Sequence, residues 1–260
     1  MTEDKRGKQG RQQAGGGKRA ARDRLATERA RQAQADRRKR QTSNVLIAVV
    51  VVVVVVGIVG YAWWASNQND APTTADLPAL VEEQGGGVVA GDGPVEVNLW
   101  EDFQCPACKG FEAQFGSTLR DKVDSGDVTM TIHPLSFLDQ NLGNSSSKLA
   151  ANAFGCAADV GQTEALDFHL TVYANQPEEN PGQEAWDADA LIAMGNEVGL
   201  EGDTWESCVR DQPYSDWVAQ VASSQLDAGI TSTPTVFIDG KQVDITGDFE
   251  KTLDEAIAAQ

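Results

Sequence analysis

Two cysteines separated by two residues, Cys105-Pro106-Ala107-Cys108, sit where one periodicity gives way to another. Before them, Val95-Glu96-Val97-Asn98-Leu99-Trp100 alternates apolar and polar residues, the pattern of a strand with one face buried. After them, Phe111, Phe115, Leu119 and Val123 recur every four residues, the stripe of a helix. A cysteine pair at a strand–helix junction is a thiol–disulfide redox site or half of a metal site. Tetrahedral zinc needs two more ligands. The other cysteines, Cys156 and Cys208, form no second such pair, so no metal is expected.

The pattern continues as α/β. Ser125-Gly126-Asp127 stops the helix, and Val128, Met130 and Ile132 alternate as a second strand, which His133-Pro134 is expected to end. A right-handed crossover makes these two strands parallel. The cysteines then fall at the carboxyl end of the first strand, where open α/β sheets carry their sites. Val88-Val89 offers a short strand ahead of them. From about 145 to 228 the spacing is helical, with segments at 148–158, 164–174, 188–198, 205–209 and 214–226. Sheet signals return at Thr235-Val236-Phe237-Ile238. Asp239-Gly240 is a two-residue hairpin turn, and Gln242 to Ile245 is the returning strand. Asp248 is placed to cap a last helix through Leu253 and Ile257.

The first third of the chain is different in kind. Residues 1–44 carry 14 Lys/Arg against 5 Asp/Glu, whereas residues 45–260 carry 7 against 34. Between the two lies Val45–Trp64, 20 residues without a charge, including eight consecutive valines. At ~1.5 Å per residue such a run spans a ~30 Å hydrocarbon core. The basic residues before it place the N-terminus in the cytoplasm, and Tyr61, Trp63 and Trp64 suit the far interface. The run exceeds a signal-peptide core of ~7–15 residues, so it reads as an uncleaved signal anchor. Residues 1–44 then form a low-complexity basic tail, without the aromatics or motifs of a nucleic-acid binder. Residues 65–87, rich in polar residues, Pro and Gly, form a linker, with Leu77, Leu80 and Val81 able to make one turn against the domain. The globular domain is 88–260.

The chemistry of the pair follows from its position. Pro106 suits a first helical turn because its missing N–H is not needed there. The free N–H groups and partial positive charge of the helix start stabilise a thiolate at Cys105. Free cysteine titrates near ~8.5, and such sites bring it to roughly 3.5–7.5. Cys105 is thus the expected exposed nucleophile, and Cys108, one turn on and more buried, the resolving thiol. Ala107 brings no donor of its own, and Glu101 and Asp102 nearby would oppose the thiolate. Four cysteines allow three pairings. Pairing 105 with 108 and 156 with 208 is the most economical, and makes Cys156–Cys208 structural rather than a second redox pair. His133 and His169 read as structural, with a proton-shuttle role as the alternative.

A Cys-Pro-Ala-Cys pair after the first central strand, a helical insertion, and Thr233-Pro234 directly before a hairpin resemble the DsbA family of thioredoxin-fold thiol–disulfide oxidoreductases. Phe168-His169 and Ala174-Asn175-Gln176-Pro177 resemble a phrase in the helical insert of that family. The likeness covers about 88–260. It implies a thioredoxin-like fold with an all-helical insertion, with Pro234 as a cis-proline facing the cysteines and the Thr233 backbone pairing with an extended substrate. The middle residues are Pro-Ala where the best-known oxidising members have Pro-His. The implied activity is that of a membrane-anchored extracytoplasmic dithiol oxidase. Its clients would be reduced exported proteins, a quinone-linked membrane thiol oxidase would reoxidise it, and its only cofactor would be its own disulfide. A reductase or isomerase on the same fold, or a soft-metal-binding or chaperone domain, are the alternatives.

Overall fold

The computed structural model describes residues 74–260. The expected basic tail, the apolar run 45–64 and the first part of the linker lie outside the described residues. Among the described residues no helix is long and apolar enough to cross a membrane.

Five strands form one mixed sheet in the order β1-β3-β2-β4-β5. They are β1 (Val88–Ala90), β2 (Val95–Asp102), β3 (Val128–Leu135), β4 (Thr235–Ile238) and β5 (Lys241–Gln242). β2 runs parallel to β3, from Val95↔Val128 to Asp102↔Leu135, and antiparallel to β4, with Trp100 opposite Thr235. The alternation read from sequence is the burial pattern: Val95, Val97 and Leu99 of β2 and Val128 and Ile132 of β3 are fully enclosed. β3 does not stop at His133-Pro134. It continues to Leu135, and the His133 ring stacks on Trp100 of β2, centroids 3.9 Å apart. The returning strand is shorter than its sequence pattern, since after Gln242 only Val243 N adds a bond, to Val236 O. Asp239 and Gly240 both take positive φ, as the tight turn requires.

The helix after the cysteines is α1 (Pro106–Phe111), a π-helical segment Glu112–Gly116, and α2 (Ser117–Asp124), continuous in the chain. The apolar spacing explains the wide segment. Steps of four residues overshoot the 3.6 of an α-helix, so a regular helix would carry Val123 well round from Phe111. A π turn absorbs the surplus, and Phe111, Phe115, Leu119 and Val123 are all buried.

Between β3 and β4 lie only helices: α3 (Phe137–Leu142), α4 (Ser146–Ala158), α5 (Gln162–Ala174), α6 (Ala188–Glu197), α7 (Asp203–Asp211) and α8 (Ser215–Asp227). They begin at residue 137, ahead of the expected 145. α4 is the hub. Its alanines 150, 151, 153 and 157 and Phe154 are sealed, and it packs against α5, α7 and α8. Small side chains permit that close approach on several sides. Cys156 of α4 and Cys208 of α7 are joined by a disulfide. The last helix, α9 (Phe249–Ala258), is capped by Asp248, which accepts from Lys251 N. Residues 75–87, assigned to a linker from sequence, lie on the domain. Val81 is buried, Leu77 and Leu80 pack on the core, and Gly86 O accepts from Trp217 Nε1 at 2.8 Å.

Candidate active site

β2 carries the chain to the site and ends in a tight turn in which Cys105 N donates to Asp102 O at 2.8 Å. Cys105 is the N-cap of α1, with extended backbone, and its carbonyl accepts the first helical bond from Lys109 N at 3.1 Å. Because β4 runs antiparallel beside β2, the residues just before it return to the carboxyl end of β2. The Thr233–Pro234 bond, which is cis, therefore lies against the cysteine turn, and Cys105 Sγ contacts Thr233 O at 3.6 Å. The four residues singled out from sequence, Cys105, Cys108, Thr233 and Pro234, thus meet at one place, with Pro106 and Ala107 forming the first helical turn between the sulfurs.

Both thiols are free. Cys105 is 8% exposed and Cys108 0%. The exposed nucleophile expected from sequence is therefore mostly covered, since the Thr233–Pro234 turn closes over it. The sulfurs are electrostatically opposite. The Cys105 thiol is brought down to about 6, first by the hydrogen bond with Cys108, against the cost of burial, and further by Thr233 and the N–H groups of Ala107 and Cys108. Burial pushes Cys108 far up, helped by its bond to Cys105. The opposition expected between Glu101 and the Cys105 thiolate falls on the carboxyl, which burial first and the Cys105 charge second keep protonated. Burial raises Glu101 well above the ordinary range, and Asp102 to about 7. A carboxyl that keeps its proton repels no thiolate.

Polar side chains from the helical region hold the turn. Gln176 Nε2 donates to Phe103 O at 2.6 Å and Cys105 O at 3.0 Å. Gln104 Nε2 donates to Asp139 Oδ1, Asn144 Oδ1 and Ser147 Oγ. Behind the cysteines, His169 Nε2 meets Glu101 Oε2 at 3.0 Å and its Nδ1 lies 3.9 Å from Glu112 Oε2, all three residues being buried. Their ligand-type atoms fall within 4.8 Å of one another. No fourth His, Cys, Asp or Glu joins them among the described residues, and His169 Nε2 is committed to Glu101. Within the group His169 and Glu101 share a hydrogen bond, and Glu112 stands at ion-pair distance.

From sequence His169 read as structural, with a proton shuttle as the alternative, and Gln176 had no role, although both stood in the phrase that carried the family resemblance. Gln104, Glu112 and Ser147 passed without notice. A polar residue on a helix reads as surface unless its partners, here 35 to 73 residues away along the chain, are known.

A mixed sheet with a cysteine pair at its centre, a neutral buried thiol under a stabilised one, and a facing proline turn define a thiol–disulfide exchange protein of thioredoxin type. The family model described as thioredoxin matches residues 84–258, and the chain belongs to that family. Disulfide bond formation protein D of Bacillus subtilis is 24% identical over 163 residues, covering 62% of this chain and 70% of the relative. DsbA of Mycobacterium tuberculosis, in its reduced form, is 26% identical, with a TM-score of 0.53 over 71% of this chain and 99% of that one. MdbA of Actinomyces oris, a thiol-disulfide oxidoreductase, shares the fold with a TM-score of 0.60 at 20% identity, covering 72% and 94% of the two chains. The chain is a protein thiol:disulfide oxidoreductase of the DsbA type.

Proposed function

We propose that this protein is a membrane-anchored, extracytoplasmic dithiol oxidase that introduces disulfides into exported proteins. The observation that carries the reading is the asymmetry of the two sulfurs. A reduced form stabilised as the Cys105 thiolate makes the Cys105–Cys108 disulfide a stronger oxidant, and here the thiolate is favoured despite Ala107 in place of a cationic neighbour. In the forward direction a client thiolate attacks Cys105 Sγ. The Cys105–Cys108 bond breaks, a mixed disulfide forms, and Cys108 leaves with the electron pair. A second client thiolate then attacks the client sulfur of the mixed disulfide, and Cys105 leaves as its stabilised thiolate. The client has lost two electrons and the cysteine pair has gained them.

Thr233 and Pro234 are the client-binding residues in this scheme. The Thr233 backbone beside Cys105 Sγ offers an extended client the pairing of a sheet edge. Cys156–Cys208 is structural in this scheme. The 20-residue apolar run anchors the domain to the cell membrane with the N-terminus cytoplasmic, and a quinone-linked membrane thiol oxidase restores the disulfide. No cofactor beyond the disulfide and no nucleic acid enters the cycle. The names of the Bacillus and Mycobacterium relatives support the oxidase direction.

The reduction potential of Cys105–Cys108, equilibrated with glutathione buffers, tests the direction. A value well above about −270 mV, toward the ~−120 mV oxidising end, is expected. A value at or below about −270 mV turns the protein into a reductase fed with electrons, and Cu(I) binding without any exchange activity turns it into a metal carrier.

A further inference from the structure

Gln176 follows Asn175, the C-cap of α5, and precedes Pro177, which cannot continue a helix. It opens an irregular segment, where a glutamine is ordinarily solvated. Here it is 5% exposed. Its side chain turns onto the start of α1, and Nε2 donates twice there, to Phe103 O at 2.6 Å and to Cys105 O at 3.0 Å. A side-chain amide has two N–H donors, so both are spent. The carbonyl of Gln176 in turn accepts from Lys109 Nζ at 2.6 Å. One residue thus makes three bonds to the cysteine turn and α1 from 67 to 73 residues away. The same end of α5 holds Phe103 by its ring, which stacks on Tyr173 with centroids 5.2 Å apart.

These bonds complete the hold on the Cys105 backbone. Its N–H is taken by Asp102 O, and its carbonyl already accepts the helical bond from Lys109 N. A carbonyl oxygen has two lone pairs, and Gln176 fills the second. Asp102 and Lys109 belong to β2 and α1 themselves, whereas Gln176 ties the turn to the helical region. Lys109 closes the arrangement, bonded to Cys105 through its N–H and to Gln176 through its side chain. The hold matters because Cys105 Sγ draws on the N–H groups of Ala107 and Cys108. A turn free to pivot would carry the sulfur off those donors. Donors already aimed cost no reorganisation when the thiolate forms.

We propose that Gln176 is a positioning residue for the exchange: its amide locks the Cys105 peptide so that Cys105 Sγ stays on the N–H groups of α1, and this raises the oxidising power of the Cys105–Cys108 pair. It acts through the Cys105 backbone rather than on the sulfur. The helical region thereby tunes a redox centre carried by the sheet. The titratable groups that face Cys105 are Cys108 on α1 and Glu101 on β2. Gln176 is neutral, so a neutral replacement removes no charge from this neighbourhood. Gln176 lines a cleft of ≈ 160 Å³ with Gln104 and Glu178. Water entering from that cleft can serve the two freed carbonyls, which keeps the domain folded, but water does not tie the turn to α5.

The inference rests on Cys105–Cys108 being the exchanging pair. Gln176→Met keeps the length of the side chain and loses both donors. In the reduced full chain, Cys105 is titrated through the ultraviolet absorbance of its thiolate. The pair is then equilibrated with glutathione buffers at about pH 5 and about pH 7. The wild-type midpoint, at about 6, is expected to rise by about one unit in the variant. At about pH 7 that leaves the disulfide about 5-fold less oxidising, and the difference closes at about pH 5, where the thiol keeps its proton in both proteins. Circular dichroism verifies folding, and Gln176→Ala decides if Gln176→Met does not fold. A wild-type midpoint and glutathione equilibrium in the folded variant overturn the role of Gln176 and leave the exchange reading intact. A loss of equal size at both pH values marks a general loosening of the domain and also overturns it. A wild-type pair that does not exchange with glutathione overturns both readings.

Discussion

Asp102 is a buried carboxyl that accepts three hydrogen bonds, from Gln104 N at 3.0 Å and Ser147 Oγ at 2.5 Å on one oxygen and from Leu138 N at 3.1 Å on the other. It joins the end of β2 to α3 and α4, and so fixes the turn on which Cys105 sits. Burial outweighs these three donors and lifts its titration to about 7. Its replacement by alanine would leave three enclosed donors without an acceptor, each costing about 1–3 kcal/mol when unpaired, less whatever relaxation and water recover. Asp102→Ala is expected to destabilise the domain by about 2–4 kcal/mol in urea unfolding, in the range of a broken buried network. A loss under about 0.5 kcal/mol, the size of a neutral surface change, would mean that Gln104 alone holds the turn.

The Cys156–Cys208 bridge acts between elements, tying α4 to α7 across 52 residues of sequence. A loop of that size lets a disulfide contribute roughly 3–5 kcal/mol, chiefly through the unfolded state. Cys156→Ser is expected to lower stability by about that amount while the rate of exchange at Cys105 is kept. Loss of turnover in a still folded variant would give the bridge a part in the chemistry. The elements were legible wherever a period ran long enough. The strand alternation announces itself over the six residues 95–100, and the stripes of α4, α5 and α6 over ten or more. α3 did not, because Phe137–Leu142 is barely a turn and a half before Gly143 ends it in left-handed backbone. The π segment hid inside a stripe of fours that an α-helix would also show to the eye. At the site, Cys105 and Cys108 were readable because they stand in a local motif, and Thr233 and Pro234 through the family resemblance. Glu112, Gln104 and Ser147 were not, because buried polar partners meet only after the chain has folded.

At the scale of the whole molecule, folding and redox state are linked through the titrating groups. Asp102 and Glu112 are raised in the fold, so their contribution is complete below the ordinary carboxyl range and is lost as pH rises through about 7 and about 8. Both redox forms share that decline. Cys105 works in the opposite sense and only in the dithiol form. Its folded value is depressed from 9.0 to about 6, so its thiolate adds stability that is complete above the unfolded value and is lost as pH falls toward 6. Cys108, raised by burial, stays protonated in the fold and adds an opposing slope only as the unfolded thiol ionises, half of it by ~8.5. The difference in melting temperature between dithiol and disulfide forms cancels Asp102 and Glu112 and leaves Cys105 together with Glu101, whose carboxyl the Cys105 charge raises further. That difference is expected to move in favour of the dithiol form steadily from about pH 6 to about pH 8. A flat difference would mean that Cys105 keeps its proton across this range. The oxidising power assigned to the pair would then need a source other than the thiolate at the start of α1.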